Sequence, residues 1–247
     1  MPPAAVTFDC WGTLINDVSW EGTVEARVAS LVEIATGKGV DLEPERAREL
    51  IEGSWQQHVQ AWRRGELYGP QGASRWCLTQ LGIDDKSLAD ELAEAIGTST
   101  SRSGTRIIEG ASEALRAVRE AGIPTALICD TGFTPGRQVR NFLTEHGLEL
   151  DHYFFSDEVG APKPYPVIFE AALKATRADA AKSIHIGDLR RTDVAGARGV
   201  GMATIRFTGA HDDGWDTEES QGEEADAVLK GWSELPGLIG LRGRSEN

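Results

Sequence analysis

With 247 residues, 40% of them hydrophobic, and seven tryptophans, the chain can bury one large core or two smaller ones, while its formal net charge of −14 sets it against polyanions. Nucleic acid is therefore excluded as a partner, and so is a membrane-spanning role, since no apolar run approaches the roughly 20 residues of a span. Three cysteines, Cys10, Cys77 and Cys129, are odd in number and lack Cys-x-x-Cys spacing, which fits a reducing, cytoplasmic compartment.

The chain runs almost at once into its first strand, leaving no room for a signal peptide. That strand is a β-prone run, Val6 to Phe8, which delivers Asp9 at its C-terminal end before Gly12 and Thr13 turn the chain away. Taken alone, Asp9 reads as a cap on the turn, yet a carboxylate at the mouth of a buried strand is costly unless something pairs with it. Cys10 is expected on the opposite strand face, in packing. Val24, Val28, Leu31, Val32 and Ala35 then share one helical face that Gly37 and Gly39 end. Pro44 opens a second helix, with Ala47, Leu50, Ile51, Trp55, His58, Val59 and Trp62 at helical period. Two shorter helices are expected near 73–81 and 86–96, followed by a polar linker over 98–104. Trp20, Trp55, Trp62 and Trp76 are expected to form the core of this four-helix unit, with an aromatic wall over a substrate as the alternative. Arg63 and Arg64 read as solvated charges.

Beyond 105, helices and strands alternate: helix 111–120 and strand 124–129, helix 135–146 and strand 153–155, helix 166–175 and strand 183–186, helix 193–198 and strand 202–207. Such alternation predicts a Rossmann-like α/β fold, a doubly wound parallel sheet with helices on both faces. Because the first strand precedes the helical unit, that unit is an insertion. The core is then discontinuous, 1–16 and 105–247, with an inserted helical domain over 17–104. His185 falls within a strand and is expected to be buried or half-buried. Gly196, Gly199 and Gly201 read as a helix stop and not as a dinucleotide fingerprint. The acidic stretch 211–219 reads as a solvated loop without the spacing of a calcium site.

Three later segments bear on Asp9. An apolar strand ends at Cys129-Asp130-Thr131-Gly132; Lys163 stands between two prolines; and a strand ends in Gly187-Asp188, with Asp193 five residues on. In an open parallel sheet the C-terminal strand ends line one edge, where ligands bind, so these groups should converge with Asp9. These segments, in this order, resemble the haloacid dehalogenase-like superfamily, from about residue 5 to about residue 235. The resemblance implies that Asp9 is the nucleophile, Thr13 the first-motif threonine, Lys163 the charge-balancing lysine, and Asp188 and Asp193 the acidic fourth motif, with the helical insert as a cap domain. It further implies Mg²⁺ held by Asp9, Asp188, Asp193 and the backbone carbonyl of Trp11. Trp11, Cys129, Asp130, Thr131 and Gly132 would then face a small phosphorylated or otherwise anionic substrate, hydrolysed through an aspartyl-phosphate.

Two positions depart from the family pattern. Trp11 stands where phosphatases of this type carry a general-acid aspartate, and indole cannot deliver a proton to a leaving alkoxide. Cys129 stands at a hydroxyl position, where a thiol is the weaker donor or merely a packing residue. An aromatic at position 11 instead suits relatives that cleave carbon–halogen bonds, but those work without metal and lack the Gly187-Asp188 pair. Phosphoryl chemistry is the primary expectation. A carbon-centred hydrolase and a weakly active, metabolite-binding homologue are the alternatives. Arg190 and Arg191 either contact substrate or pair with the acidic surface. Neither the substrate nor an oligomeric state is legible.

Overall fold

A computed structural model describes residues 2–210 and 221–241, with the backbone alone at 101–103; the acidic stretch 211–219 lies outside the described residues. The chain runs β1 (Val6–Phe8), β2 (Ile15–Asp17), α1 (Trp20–Gly37), α2 (Pro44–Arg63), α3 (Gly69–Gln80), α4 (Lys86–Ser103), β3 (Thr105–Ile107), α5 (Ala111–Glu120) and β4 (Thr125–Cys129). It continues through α6 (Gly136–Glu145), β5 (His152–Phe155), α7 (Ser156–Val159), α8 (Pro166–Thr176), β6 (Ile184–Gly187), α9 (Ala195–Gly199), β7 (Ala203–Phe207), β8 (Ala227–Leu229) and α10 (Leu235–Leu238). Six strands form one parallel sheet in the order β5-β4-β1-β6-β7-β8, while β2 and β3 pair with each other. This is the doubly wound α/β architecture expected from the alternation of elements. The order reverses at β1, so its C-terminal end lies at a topological switch point.

Two compact units result: Met1–Asn16 with Ile107–Asp130 and Phe142–Asn247, and Asp17–Arg106 with Thr131–Asn141. In the first, β1 is buried on both faces, which is why its short sequence carries no exposed position. On one face Phe8 meets Trp232, ring centroids 6.0 Å apart, and Phe207 stacks on Trp232 at 4.8 Å. Trp232 also donates its indole N–H to the carbonyl of Thr13 at 3.2 Å, satisfying the buried donor and tying down the turn after Asp9. On the other face Ile168, Phe169 and Ala172 of α8 close over Ala126 and Ile128 of β4. Each fully buried Ile or Phe among these contributes about 1.5–3 kcal/mol by burial.

In the second unit, Leu31, Leu50, Ile51, Leu78, Leu92 and Ile96 form the centre. The tryptophans do not. Trp55 and Trp76 pack at its margin, and Trp20 is 45% exposed, because aliphatic and small side chains already fill the space between closely packed helices. The linker expected over 98–104 is also corrected: α4 continues to Ser103 and stops at Gly104, whose φ is 90°. Serine and threonine are poor helix formers, but here their hydroxyls bond back to the helix, Thr98 to the Glu94 carbonyl at 2.9 Å and Ser99 to that of Ile96 at 2.6 Å. Ser99 additionally receives the Arg27 Nε–H at 2.9 Å, a tertiary bond that outweighs local propensity.

Candidate active site

Alternation along β1 places Thr7 and Asp9 on one face, and along β6 it places His185 and Gly187 on one face. The strands are paired in register, Thr7 opposite His185, and the Asp9 amide extends the ladder by donating to the Ile186 carbonyl at 2.8 Å. Two glycines then supply space where side chains must lie. A Cβ on Gly187 would fall 2.2 Å from Asp193 Cγ, and one on Gly12, whose φ of 75° already favours glycine, would fall 2.3 Å from Asp188 Oδ2. Any other residue at either position would expel a carboxylate.

Asp193 does not start a helix, as the sequence pattern suggested. It lies inside a π-helical turn, Arg190–Val194, that runs into α9. The Val194 amide donates to the Leu189 carbonyl, five residues back, at 3.2 Å, so the turn is wider than an α-turn, and the Asp193 side chain reaches back to accept the Leu189 amide at 3.1 Å. Lys163 donates from Nζ to Asp9 Oδ1 at 2.5 Å and to Asp193 Oδ1 at 2.7 Å. Thr13 donates its hydroxyl to Asp9 Oδ2 at 3.1 Å. Asp130, expected to face substrate, turns Oδ1 to the Lys163 amide at 2.8 Å and so anchors the lysine's backbone.

The charges are unbalanced. Asp9, Asp188 and Asp193 bring carboxylate oxygens within 4.8 Å of one another, with Lys163 as the ammonium between Asp9 and Asp193. Burial, only partly opposed by Lys163, pushes Asp9 up to about 6. Burial together with the charges of Asp9 and Asp193 pushes Asp188 well above the carboxylate range. Asp193 goes the other way: burial would raise it, but the Lys163 charge and the His185 hydrogen bond hold it below the ordinary value. Lys163 is raised well above the usual lysine value, because Asp193 and Asp9 outweigh its burial. Three hard oxygen donors gathered around too little positive charge are the donor set that suits a divalent cation such as Mg²⁺.

The structure thus brings Asp9, Thr13, Lys163, Asp188 and Asp193 together. Trp11 is half-buried, and its segment is held by a backbone bridge to Ile15. Cys129 is fully enclosed, its thiol donating to the Asp130 carbonyl at 3.5 Å and pushed up by burial, then by the neighbouring Cys10. Thr131 and Gly132 group with the helical unit, where a Cβ on Gly132 would lie 3.4 Å from the Trp55 ring. Arg190 pairs with Glu224 at 2.7 Å. Sequence reasoning missed Thr7 as a partner of this site and expected of His185 only that it be buried or half-buried. The signal was the two-residue offset of each from Asp9 and Gly187 on the same strand face.

A family model for haloacid dehalogenase-like hydrolases matches residues 3–201. A glyceraldehyde 3-phosphate phosphatase of Pyrococcus abyssi is 37% identical over 106 residues, covering 41% of this chain and 42% of that protein. The chain spans about half the length of the curated relatives it matches. A HAD phosphatase structure from Thermococcus onnurineus superposes with a TM-score of 0.66 at 21% identity, covering 96% of this chain and 97% of that one. A 2-haloacid dehalogenase structure from Pseudomonas syringae pv. Tomato gives 0.67 at 19%, covering 96% and 98%. Two activities fit the backbone equally well, so the likeness speaks for the fold alone.

Proposed function

Since this chain belongs to the haloacid dehalogenase-like hydrolases, we propose that it hydrolyses a small phosphorylated metabolite, with Asp9 as nucleophile and Mg²⁺ held by Asp9, Asp188, Asp193 and the Trp11 carbonyl. The observation that carries this reading is the trio of carboxylates around one shared lysine. A carboxylate attacking a phosphate meets repulsion of about 4 kcal/mol per charge pair at about 4 Å and an effective dielectric near 20, roughly a thousandfold in rate. Mg²⁺, when bound, supplies positive charge against that repulsion.

The chain's own residues do the rest. Lys163 keeps Asp9 ionised and balances charge on the transferring group, and the Thr13 hydroxyl fixes the rotation of the Asp9 carboxylate. An Asp9 oxygen forms a bond to phosphorus as the bond to the leaving oxygen breaks. Water then attacks phosphorus, the bond to Asp9 breaks, and phosphate leaves with the carboxylate restored. With Trp11 at the acid position, the leaving oxygen takes its proton from water, so good leaving groups react fastest. We assign phosphate-oxygen contacts to Thr131 and Gly132 and substrate selection to the helical unit, 17–104.

The phosphatase name of the Pyrococcus abyssi relative supports a phosphorylated substrate. A cytoplasmic setting is supported by three free cysteines, and no described helix is long and apolar enough to cross a membrane. Trp11 favours a second reading, carbon–halogen hydrolysis; against it, Asp9, Asp188 and Asp193 gather a donor set for a cation that a metal-free reaction would leave unused. Release of p-nitrophenol from its phosphate ester, with and without Mg²⁺, separates the two. Metal-dependent turnover lost in Asp9→Asn supports the phosphatase, and halide release from a 2-haloacid with no ester cleavage would overturn it.

A further inference from the structure

We propose that His185 is a positioning residue: Thr7 locks its imidazole in the Nε2–H tautomer, and that N–H fixes the rotation of the Asp193 carboxylate on which Lys163 is aligned. Its kinetic consequence rests on the hydrolytic reading above, whereas the tautomer and the carboxylate rotation do not.

The chain of contacts is short and enclosed. Thr7 Oγ1 lies 2.8 Å from His185 Nδ1, and His185 Nε2 lies 3.0 Å from Asp193 Oδ1. Thr7 and His185 are 0% and 1% exposed. The edge-to-face ring of Phe169, 5.2 Å away by centroids, holds the imidazole plane. Asp193 bonds to the Lys163 ammonium, so it is an ionised carboxylate and only accepts; the proton in the second contact therefore belongs to Nε2. The Thr7 hydroxyl proton has one place to go, because Nδ1 is its only hydrogen-bond partner among the described residues. Nδ1 must then be bare. A doubly protonated ring would aim an N–H at Thr7 and leave the buried hydroxyl proton without an acceptor, an expensive arrangement in a dry interior.

The effect falls on Asp193. Its Oδ1 accepts from both His185 and Lys163, and its Oδ2 from the Leu189 amide. The terminal torsion of an aspartate is soft, and Gly187 presents no Cβ against which the carboxylate could rest. Donors from three directions fix it instead. Remove the Nε2–H and the plane of the carboxylate is held by Lys163, the Leu189 amide and a long contact from the Thr192 hydroxyl at 3.5 Å, and the lysine's alignment between Asp9 and Asp193 loosens with it. No change of charge on His185 is needed.

Long-range ¹H–¹⁵N spectra of the full chain, assigned among its five histidines by loss of signals in His185→Gln, test the tautomer. A bare Nδ1 and protonated Nε2 are expected, with the two tautomers mixing in Thr7→Val and the lock retained in Thr7→Ser. A protonated Nδ1 in the wild type overturns the proposal. Crystal structures of Thr7→Val and His185→Leu test the positioning: Asp193 should rotate away from Lys163, and an unmoved carboxylate in both overturns it. In turnover, His185→Leu should lower kcat about tenfold or more with KM little changed, as removal of an outer-shell partner commonly does. His185→Gln, which keeps an N–H donor, should recover part of the loss; equal activity in wild type and His185→Leu overturns the kinetic role. If the wild type cleaves no phosphate ester, the proposed function fails, while the spectra and structures still decide this inference.

Discussion

The buried polar groups of the two units are managed in opposite ways. At the sheet edge the buried groups are tied into one network: Lys163 bridges Asp9 and Asp193, His185 meets Asp193, and Thr7 meets His185. In the helical unit, His58 Nδ1, the Tyr68 hydroxyl and Asp17 Oδ1 are buried with no hydrogen-bond partner among the described residues. There His58 is surrounded by rings, Trp55 at 4.9 Å, Phe133 at 5.6 Å and Tyr68 at 6.2 Å between centroids. The first region carries excess negative charge held by hydrogen bonds. The second holds polar atoms in packing without hydrogen bonds, beside the buried Arg27 cation that donates to Ser99. Each should therefore fail under a different perturbation, charge removal in one and protonation in the other.

The largest effect is expected at Asp9, the proposed nucleophile. Asp9→Asn should lower kcat on p-nitrophenyl phosphate about ten-thousandfold or more, as loss of a covalent nucleophile does elsewhere. Its melting temperature should stay equal or rise, since one of three crowded carboxylates has become neutral. A variant retaining even a tenth of wild-type activity would remove Asp9 from the chemistry. Next comes Lys163→Met, which leaves Asp9 and Asp193 buried without their shared cation. Breaking a buried ion pair on one side costs about 3–5 kcal/mol, so urea denaturation at neutral pH should show a loss of that order. A loss below about 1 kcal/mol, the range of a surface pair, would mean that hydrogen bonds rather than charge hold this region together.

Much of the sheet-edge cluster was legible because its residues sit where local pattern is strong. Asp9, Asp130 and Asp188 each follow a β-prone run, Lys163 is fixed between prolines, and α1 and α2 announce themselves by period. What stayed hidden depends on pairing across distance. Thr7 and His185 are 178 positions apart, and only the adjacency and register of β1 and β6 make them partners. The π-turn at Arg190–Val194 has nearly the apolar spacing of an α-turn, so period alone placed Asp193 at a helix start. β8 is three residues long, too short to show alternation, and is anchored by Asp226 Oδ2 accepting from the Thr204 amide at 2.8 Å. The tryptophans misled for a plainer reason: helical spacing marks a face, and which residues on that face are innermost is decided by size.

In the helical unit the sensitive group is His58. Burial, with a smaller push from the Arg27 charge, lowers it to about 4 from an ordinary 6.5. The unfolded chain therefore binds a proton between these two values that the folded chain refuses, so stability is full above about 6.5 and falls as pH drops towards about 4. The shift corresponds to roughly 3 kcal/mol. Calorimetric melting across that window should show the decline, and His58→Phe should flatten it; an unchanged slope in the variant would assign the decline to groups other than His58, and not to Asp9 or Asp188, whose raised values make the folded chain the better proton binder there.

The same variant makes the smallest effect the most discriminating. Replacing a buried polar group that lacks a partner by an apolar one of similar shape is neutral or favourable. At pH 7, His58→Phe is thus expected to gain up to about 1 kcal/mol, limited by the slightly larger ring among Trp55, Tyr68 and Phe133. The analogous change at the sheet edge, His185→Phe, removes a donor on which Asp193 depends and is expected to cost stability. Opposite signs for two buried histidines would establish that the units differ in how polar groups are held. Equal losses would mean that His58 Nδ1 does find a partner in solution and that the contrast between the units is one of degree.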